Sequence, residues 1–132
     1  MKKSVKELLK DLLVRQSQIG TITTATQAVN ITSTSVDTYA EGASITLSPG
    51  AYLVMVYGGF ASNTTETNRR INLYNKTSNT TIITVSNWDR WWVSHTTTMP
   101  VVLTEQSVLA ARLSAGVALN SCTTTITAIR VA

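Results

Sequence analysis

The chain of 132 residues holds one cysteine, one histidine, one phenylalanine and two prolines, and charged residues make up only 14% of it. Each shortage excludes something. With Cys122 alone, no disulfide closes within the chain and no thiolate metal centre is possible. With His95 alone, the imidazole clusters that hold catalytic metals are excluded as well, so neither metal nor cofactor is expected. No apolar run approaches the ~20 residues a helix needs to cross a bilayer, and membrane insertion is not expected. The opening stretch "MKKSVKELLKDLLVRQSQ" does not read as a secretory signal, because Lys6, Glu7, Lys10 and Asp11 interrupt any apolar centre and no small-residue cleavage site follows.

Charge is scarce in the body of the chain and concentrated at its start. Residues 1–19 carry five Lys/Arg against two acids, whereas the remainder carries six against five. The net charge of +4 is therefore mostly a property of the first segment. A basic stripe able to follow phosphates is missing from the body, which argues against nucleic acid as a partner.

What the chain does have is threonine, serine and asparagine. They recur in runs such as "TITTAT", "NITSTS", "TSNTT" and "CTTTIT", in a composition that is 43% hydrophobic and too apolar to be disordered. Threonine is stiff at its first torsion and suits a pleated surface while its hydroxyl faces water. A charge-poor, threonine-rich surface of this kind points to an all-β protein of extracellular or virion type. The length fits one domain with one core.

Two segments divide the chain. In residues 1–19, Ser4-Val-Lys-Glu7 has the form of a capping box, which predicts a helix over 4–18. Val5, Leu9, Leu12, Gln16 and Ile19 follow at spacings of four, three, four and three, a coiled-coil seam with one polar layer at Gln16; Leu8 and Leu13 widen it. So short a helix is marginal alone in water, so it either docks on its own domain or associates with copies of itself. The heptad-like spacing and the threonine-rich connection favour association.

Residues 20–132 read as short β segments separated by Gly, Pro, Asn, Asp or Ser: "GTITTAT", "AVNITST", "VDTYA", "ASITL", "AYLVMVYGGFA", "RRINLYN", "TTIITVS", "WWVSHTTTMPVVL", "SVLAARLSA" and "TTTITAIRVA". No helical crossover separates them, so the sheets are antiparallel. "SVLAARLSA" is taken as a strand because Val108, Ala110 and Arg112 alternate with Leu109, Ala111 and Leu113. The sharpest corner is Ser48-Pro49-Gly50, followed by a strand with Tyr52, Val54 and Val56 on one face and Leu53, Met55 and Tyr57 on the other. Apolar on both faces, that strand calls for a covering surface beyond its own sandwich, such as another subunit.

Leu47-Ser-Pro-Gly-Ala-Tyr-Leu53 before a long strand, then Arg70-Ile-Asn-Leu-Tyr-Asn75, Val101-Val-Leu-Thr-Glu105 and the closing Thr125-Ile-Thr-Ala-Ile-Arg-Val131 resemble the compact jelly roll of the tumour necrosis factor and complement globular-head superfamily. The likeness covers roughly residues 40–132. Similar heads stand on bacteriophage fibres and appendages, often behind a short helix or coiled coil. The resemblance implies an antiparallel jelly-roll sandwich, a homotrimer, and binding in place of catalysis. The expected trimer interface draws on Tyr52, Val54, Val56, Tyr57 and Trp92.

An enzymatic reading finds little support. Asp89, Ser94 and His95 are the residue types of a nucleophilic triad but sit in one local stretch without a nucleophile elbow. The spacing of Asp37, Glu41, Glu66, Asp89 and Glu105 does not favour a paired-carboxylate site. Four Asn-x-Thr triplets, at Asn30, Asn63, Asn75 and Asn79, arise from composition. The most informative cluster is Asn87-Trp-Asp-Arg-Trp-Trp92, which holds all three tryptophans. Trp91 and Trp92, as strand neighbours, point to opposite faces, one toward the core and one toward an interface. Asn87, Trp88, Asp89 and Arg90 are the candidate ligand contacts, read as an exposed polar turn with an aromatic stacking face. The expected protein is thus a homotrimeric head of a phage or prophage virion appendage, tethered to other virion proteins by its N-terminal segment and recognising a cell-surface glycan or protein. A virion decoration protein and a bacterial carbohydrate-binding module are the alternatives.

Overall fold

A computed structural model describes residues 3–61, 65–89 and 93–132, apart from the side chain of Arg15. One helix, α1 (Val5–Gln18), precedes eight strands: β1 (Ile22–Ile31), β2 (Ala40–Leu47), β3 (Gly50–Phe60), β4 (Thr67–Asn75), β5 (Thr80–Asp89), β6 (Val93–Leu103), β7 (Ser107–Ala115) and β8 (Leu119–Arg130). They form two four-stranded antiparallel sheets in the orders β1-β8-β3-β6 and β2-β7-β4-β5. The chain thus alternates between sheets except at the β4–β5 hairpin, and the last strand returns between the first and third, which is a jelly-roll sandwich. Inward residues of both sheets, including Val54, Val56, Phe60, Ile71, Leu73, Leu109, Leu113 and Ile126, are removed from solvent and form one core.

The Ser48-Pro49-Gly50 corner launches β3 as its composition implies. Gly50 has φ 155°, and a Cβ there would stand 2.8 Å from the Arg130 guanidinium. The Tyr52 hydroxyl donates back to the Ser48 carbonyl at 2.7 Å, while Arg130 donates to the Tyr52 hydroxyl at 3.2 Å and to the Pro49 carbonyl at 3.0 Å. The third strand and the last are tied together at this corner. Pro100 lies in β6, which pairs with β3 alone and so is a sheet edge, where a missing N–H is tolerated.

Two segments depart from the expected organisation. "VDTYA" is not a strand; only Ala40 joins β2, and the rest lies in the β1–β2 connection. Arg70 holds that connection over the second sheet by donating to the Val36 carbonyl at 3.5 Å and to the Asp37 carboxylate at 3.1 Å. In β2, the register slips by one residue between Glu41 and Ser44, a β-bulge. Its cause lies in the other sheet: the buried Thr124 hydroxyl of β8 accepts from the Ala43 N–H at 2.8 Å and donates to the Gln27 carbonyl at 3.0 Å. A Cβ on residue 42 would fall 2.1 Å from that hydroxyl, so glycine is required there.

The helix has the capping box expected of it: the Glu7 N–H donates to the Ser4 hydroxyl at 3.2 Å, and the Ser4 N–H donates to the Glu7 carboxylate at 3.3 Å. It ends at Gln18, and Gly20, whose φ is 86°, turns the chain into β1 and donates its N–H to the Arg130 carbonyl at 2.7 Å. No helix among the described residues is long and apolar enough to cross a membrane.

Candidate functional site

Strand alternation divides the tryptophan-rich stretch. Asn87, Trp88 and Asp89 are not a turn but the last residues of β5, paired with Arg69, Asn68 and Thr67 of β4. Successive side chains on a strand point to opposite faces. Asn87 and Asp89 therefore lie on one face, where the Asn87 amide donates to the Asp89 carboxylate at 2.7 Å. Trp88 lies on the other, 60% exposed, in the company of Asn68, Arg70 and Ser86. The stacking ring and the two flanking polar groups expected to act together thus do not converge. Arg90, Trp91 and Trp92 lie outside the described residues.

On the inward side of β4, Arg69 is fully buried. It donates to the Asp89 carbonyl through Nη1, whereas Nε and Nη2 have no partner among the described residues. Desolvation holds its pKa below the ordinary arginine value, partly offset by the nearby Asp89 carboxylate. Cys122 is buried too, and burial pushes its thiol up. Neither group is placed for chemistry on a bound molecule.

The residues of the triad reading do not share one face. Ser94 and His95 are consecutive on β6, so their side chains face opposite ways, and Asp89 belongs to the other sheet. His95 packs edge-on to Phe60, with ring centroids 6.3 Å apart. Among the described residues, no group of three or more His, Cys, Asp or Glu is arranged to hold a metal ion.

The expected interface needs a correction. Tyr52, Val54 and Val56 point into the sandwich, and Val54 and Val56 are wholly buried within a single chain. Packing of the second sheet has already covered them, so almost no surface remains for another copy. Their strand-mates on the outer face are the open ones: Leu53 is 42% exposed, Met55 is 41% exposed and Tyr57 is half-buried. Cross-strand pairing extends that face sideways from Leu53 to Ile129 of β8 and Ile22 of β1, and to Pro100 of β6. With exposed Val102, these make an apolar band at the end of the sheet from which α1 emerges. Beyond it the face turns to hydroxyls, with Thr24 bonded to Thr127 at 2.9 Å and Thr26 to Thr125 at 3.0 Å. Alternation alone could have located the band, since Ile129 and Leu53 fall in phase with these outward threonines and out of phase with Ile126 and Val54.

The helix adds to the open apolar surface. Val5, Leu9, Leu12, Gln16 and Ile19 are all exposed, as are Leu8 and Leu13. The expectation left open whether the helix docks on its own domain; in the single chain it does not bury its stripe. No protein-family model matches this chain, and neither does any curated protein.

Proposed function

We propose that this chain is the non-enzymatic head of a homotrimeric virion appendage of the phage or prophage type, held by its N-terminal helix and binding a cell-surface glycan or protein. The observation that carries the reading is the exposed apolar seam of α1, continuous in position with the apolar band of Ile22, Leu53, Val102 and Ile129. A helix of 14 residues is marginal in water by itself. Three copies running parallel bury their Val5, Leu9, Leu12 and Ile19 positions against one another and bring three sandwiches together at one end. The outer sheet faces then meet around the same axis, which covers the band.

The jelly-roll strand order supports the reading without deciding it, because one fold hosts many functions. The resemblance to trimeric globular heads supplies the rest, together with a surface kept soluble by threonine in place of charge. The test is direct binding: fluorescently labelled protein is offered to a panel of bacterial cells. Saturable attachment to some strains supports a receptor-binding head. Absence of attachment to every strain, from a protein that is nonetheless trimeric, supports the decoration-protein alternative.

A further inference from the structure

The outer face of the second sheet carries a small open platform. Trp88 stands on β5, which among the described residues pairs with β4 alone, so no described strand covers the indole from the side. Its cross-strand neighbour is Asn68, and two residues back on β5 lies Ser86, paired with Arg70. By alternation all four side chains share one face. Among the described residues, the Asn68 amide and the Ser86 hydroxyl engage in no side-chain hydrogen bond, while the indole leaves a broad apolar ring in water.

The surroundings fix the charge of this platform. Arg70, its one cation among the described residues, is committed to Asp37 at 3.1 Å, and bonds to Tyr39 and Asp37 hold its pKa above the ordinary value. Farther along the same face, the guanidinium of Arg112 lies 4.7 Å and 3.7 Å from the ring centres of Tyr39 and Tyr74 and donates to Asn72 at 2.9 Å. Asn72 in turn donates to Thr84 at 3.0 Å. That wall is already engaged by its own contacts. Among the described residues, what remains free is one aromatic plane, one amide and one hydroxyl, with no net charge to attract an acid.

We propose that this face binds a neutral saccharide, with the apolar side of one sugar ring stacked on Trp88 and its hydroxyls bonded to Asn68 and Ser86. The proposal rests on the receptor-binding reading and names its ligand class and its face. An aromatic plane beside neutral donors and acceptors offers a sugar both halves of its surface at low ordering cost. Asn87 and Asp89, tied to each other along the opposite face of the strand, take no part.

The full chain is applied to an array of neutral and acidic oligosaccharides, alongside Trp88→Ala, Ser86→Ala with Asn68→Ala, and Asn87→Ala with Asp89→Ala. Neutral glycans are expected to bind, with little dependence on salt. Trp88→Ala is expected to weaken binding by about tenfold or more, the Ser86/Asn68 pair to weaken it several-fold, and the Asn87/Asp89 pair to leave it unchanged. Binding to acidic glycans alone, or binding that survives Trp88→Ala, overturns the proposal. So does a change of oligomeric mass in Trp88→Ala, which would make the indole an interface residue. If the array is silent while labelled protein still attaches to cells, the head reading stands and the saccharide proposal falls; if attachment is absent too, both fall.

Discussion

Replacing Thr124 by valine keeps the shape of the side chain and removes only its hydroxyl. In the native sandwich that hydroxyl stitches three strands from two sheets, accepting from the Ala43 N–H and donating to the Gln27 carbonyl. Ala43 is buried, so its N–H loses its partner with no water to replace it, a cost of about 1–3 kcal/mol. Gln27 is an exposed residue of an edge strand, where water takes over, and its carbonyl adds about 1 kcal/mol at most. Thr124→Ser keeps the hydroxyl and loses one methyl, for about 1 kcal/mol. For a chain of this size 1 kcal/mol moves the melting temperature by roughly 3–5 °C, so valine is expected to lower it by about 3–20 °C and serine by about 3–5 °C. Thermal melts of the three proteins at one fixed concentration, since self-association shifts apparent stability, make the comparison. A valine variant that melts with the wild type, or above the serine variant, would refute the account of the β2 bulge as a device built around this hydroxyl.

Two further outcomes follow from burial and from chain organisation. Because burial raises the Cys122 thiol above its unfolded value, the native state keeps that proton longer than the unfolded chain does. Its contribution to stability is intact below the unfolded thiol's pKa of about 8.5 and is lost as pH rises through the folded value. Iodoacetamide at pH 8 should therefore leave the native protein unlabelled and modify it fully in guanidinium, and labelling of native protein at the unfolded rate would contradict this placement. Removal of residues 1–19 should leave a folded sandwich with an unchanged β-type circular dichroism spectrum, since α1 contributes nothing to the core; loss of that spectrum would make the helix a core element.

Local signals were legible wherever the cause lay nearby in the chain. Ser4 and Glu7 marked the helix start because a capping box is complete within four residues, and Pro49-Gly50 marked the corner because the turn needs only those two. The β2 bulge was not legible, because its cause, Thr124, is 81 positions away. "VDTYA" reads as a strand on composition and is a connection, since Arg70 of β4 holds Val36 and Asp37 out of the sheet. In β3 the two-sided apolar pattern was legible, and in the single chain one of its faces, with Leu53 and Met55, stays open. The face was misassigned because Val54 and Val56 are the better core residues, and the opposing sheet takes them first. At the candidate site, sequence adjacency suggested that Asn87, Trp88 and Asp89 act as one group, whereas the pleat sends the tryptophan to the other side of the sheet. Adjacency along a strand separates side chains; cross-strand register joins them, and register is not written in one strand alone.

The central claim is that α1 and the outer face of the first sheet are covered by copies of the same chain. Multi-angle light scattering on the intact protein at micromolar concentration, with the variant lacking residues 1–19 beside it, addresses that claim most directly. The expected mass is three times the 14.3 kDa of one chain, with a smaller, concentration-dependent mass once the helix is removed. A single stable species of 14.3 kDa from the intact chain would contradict the account.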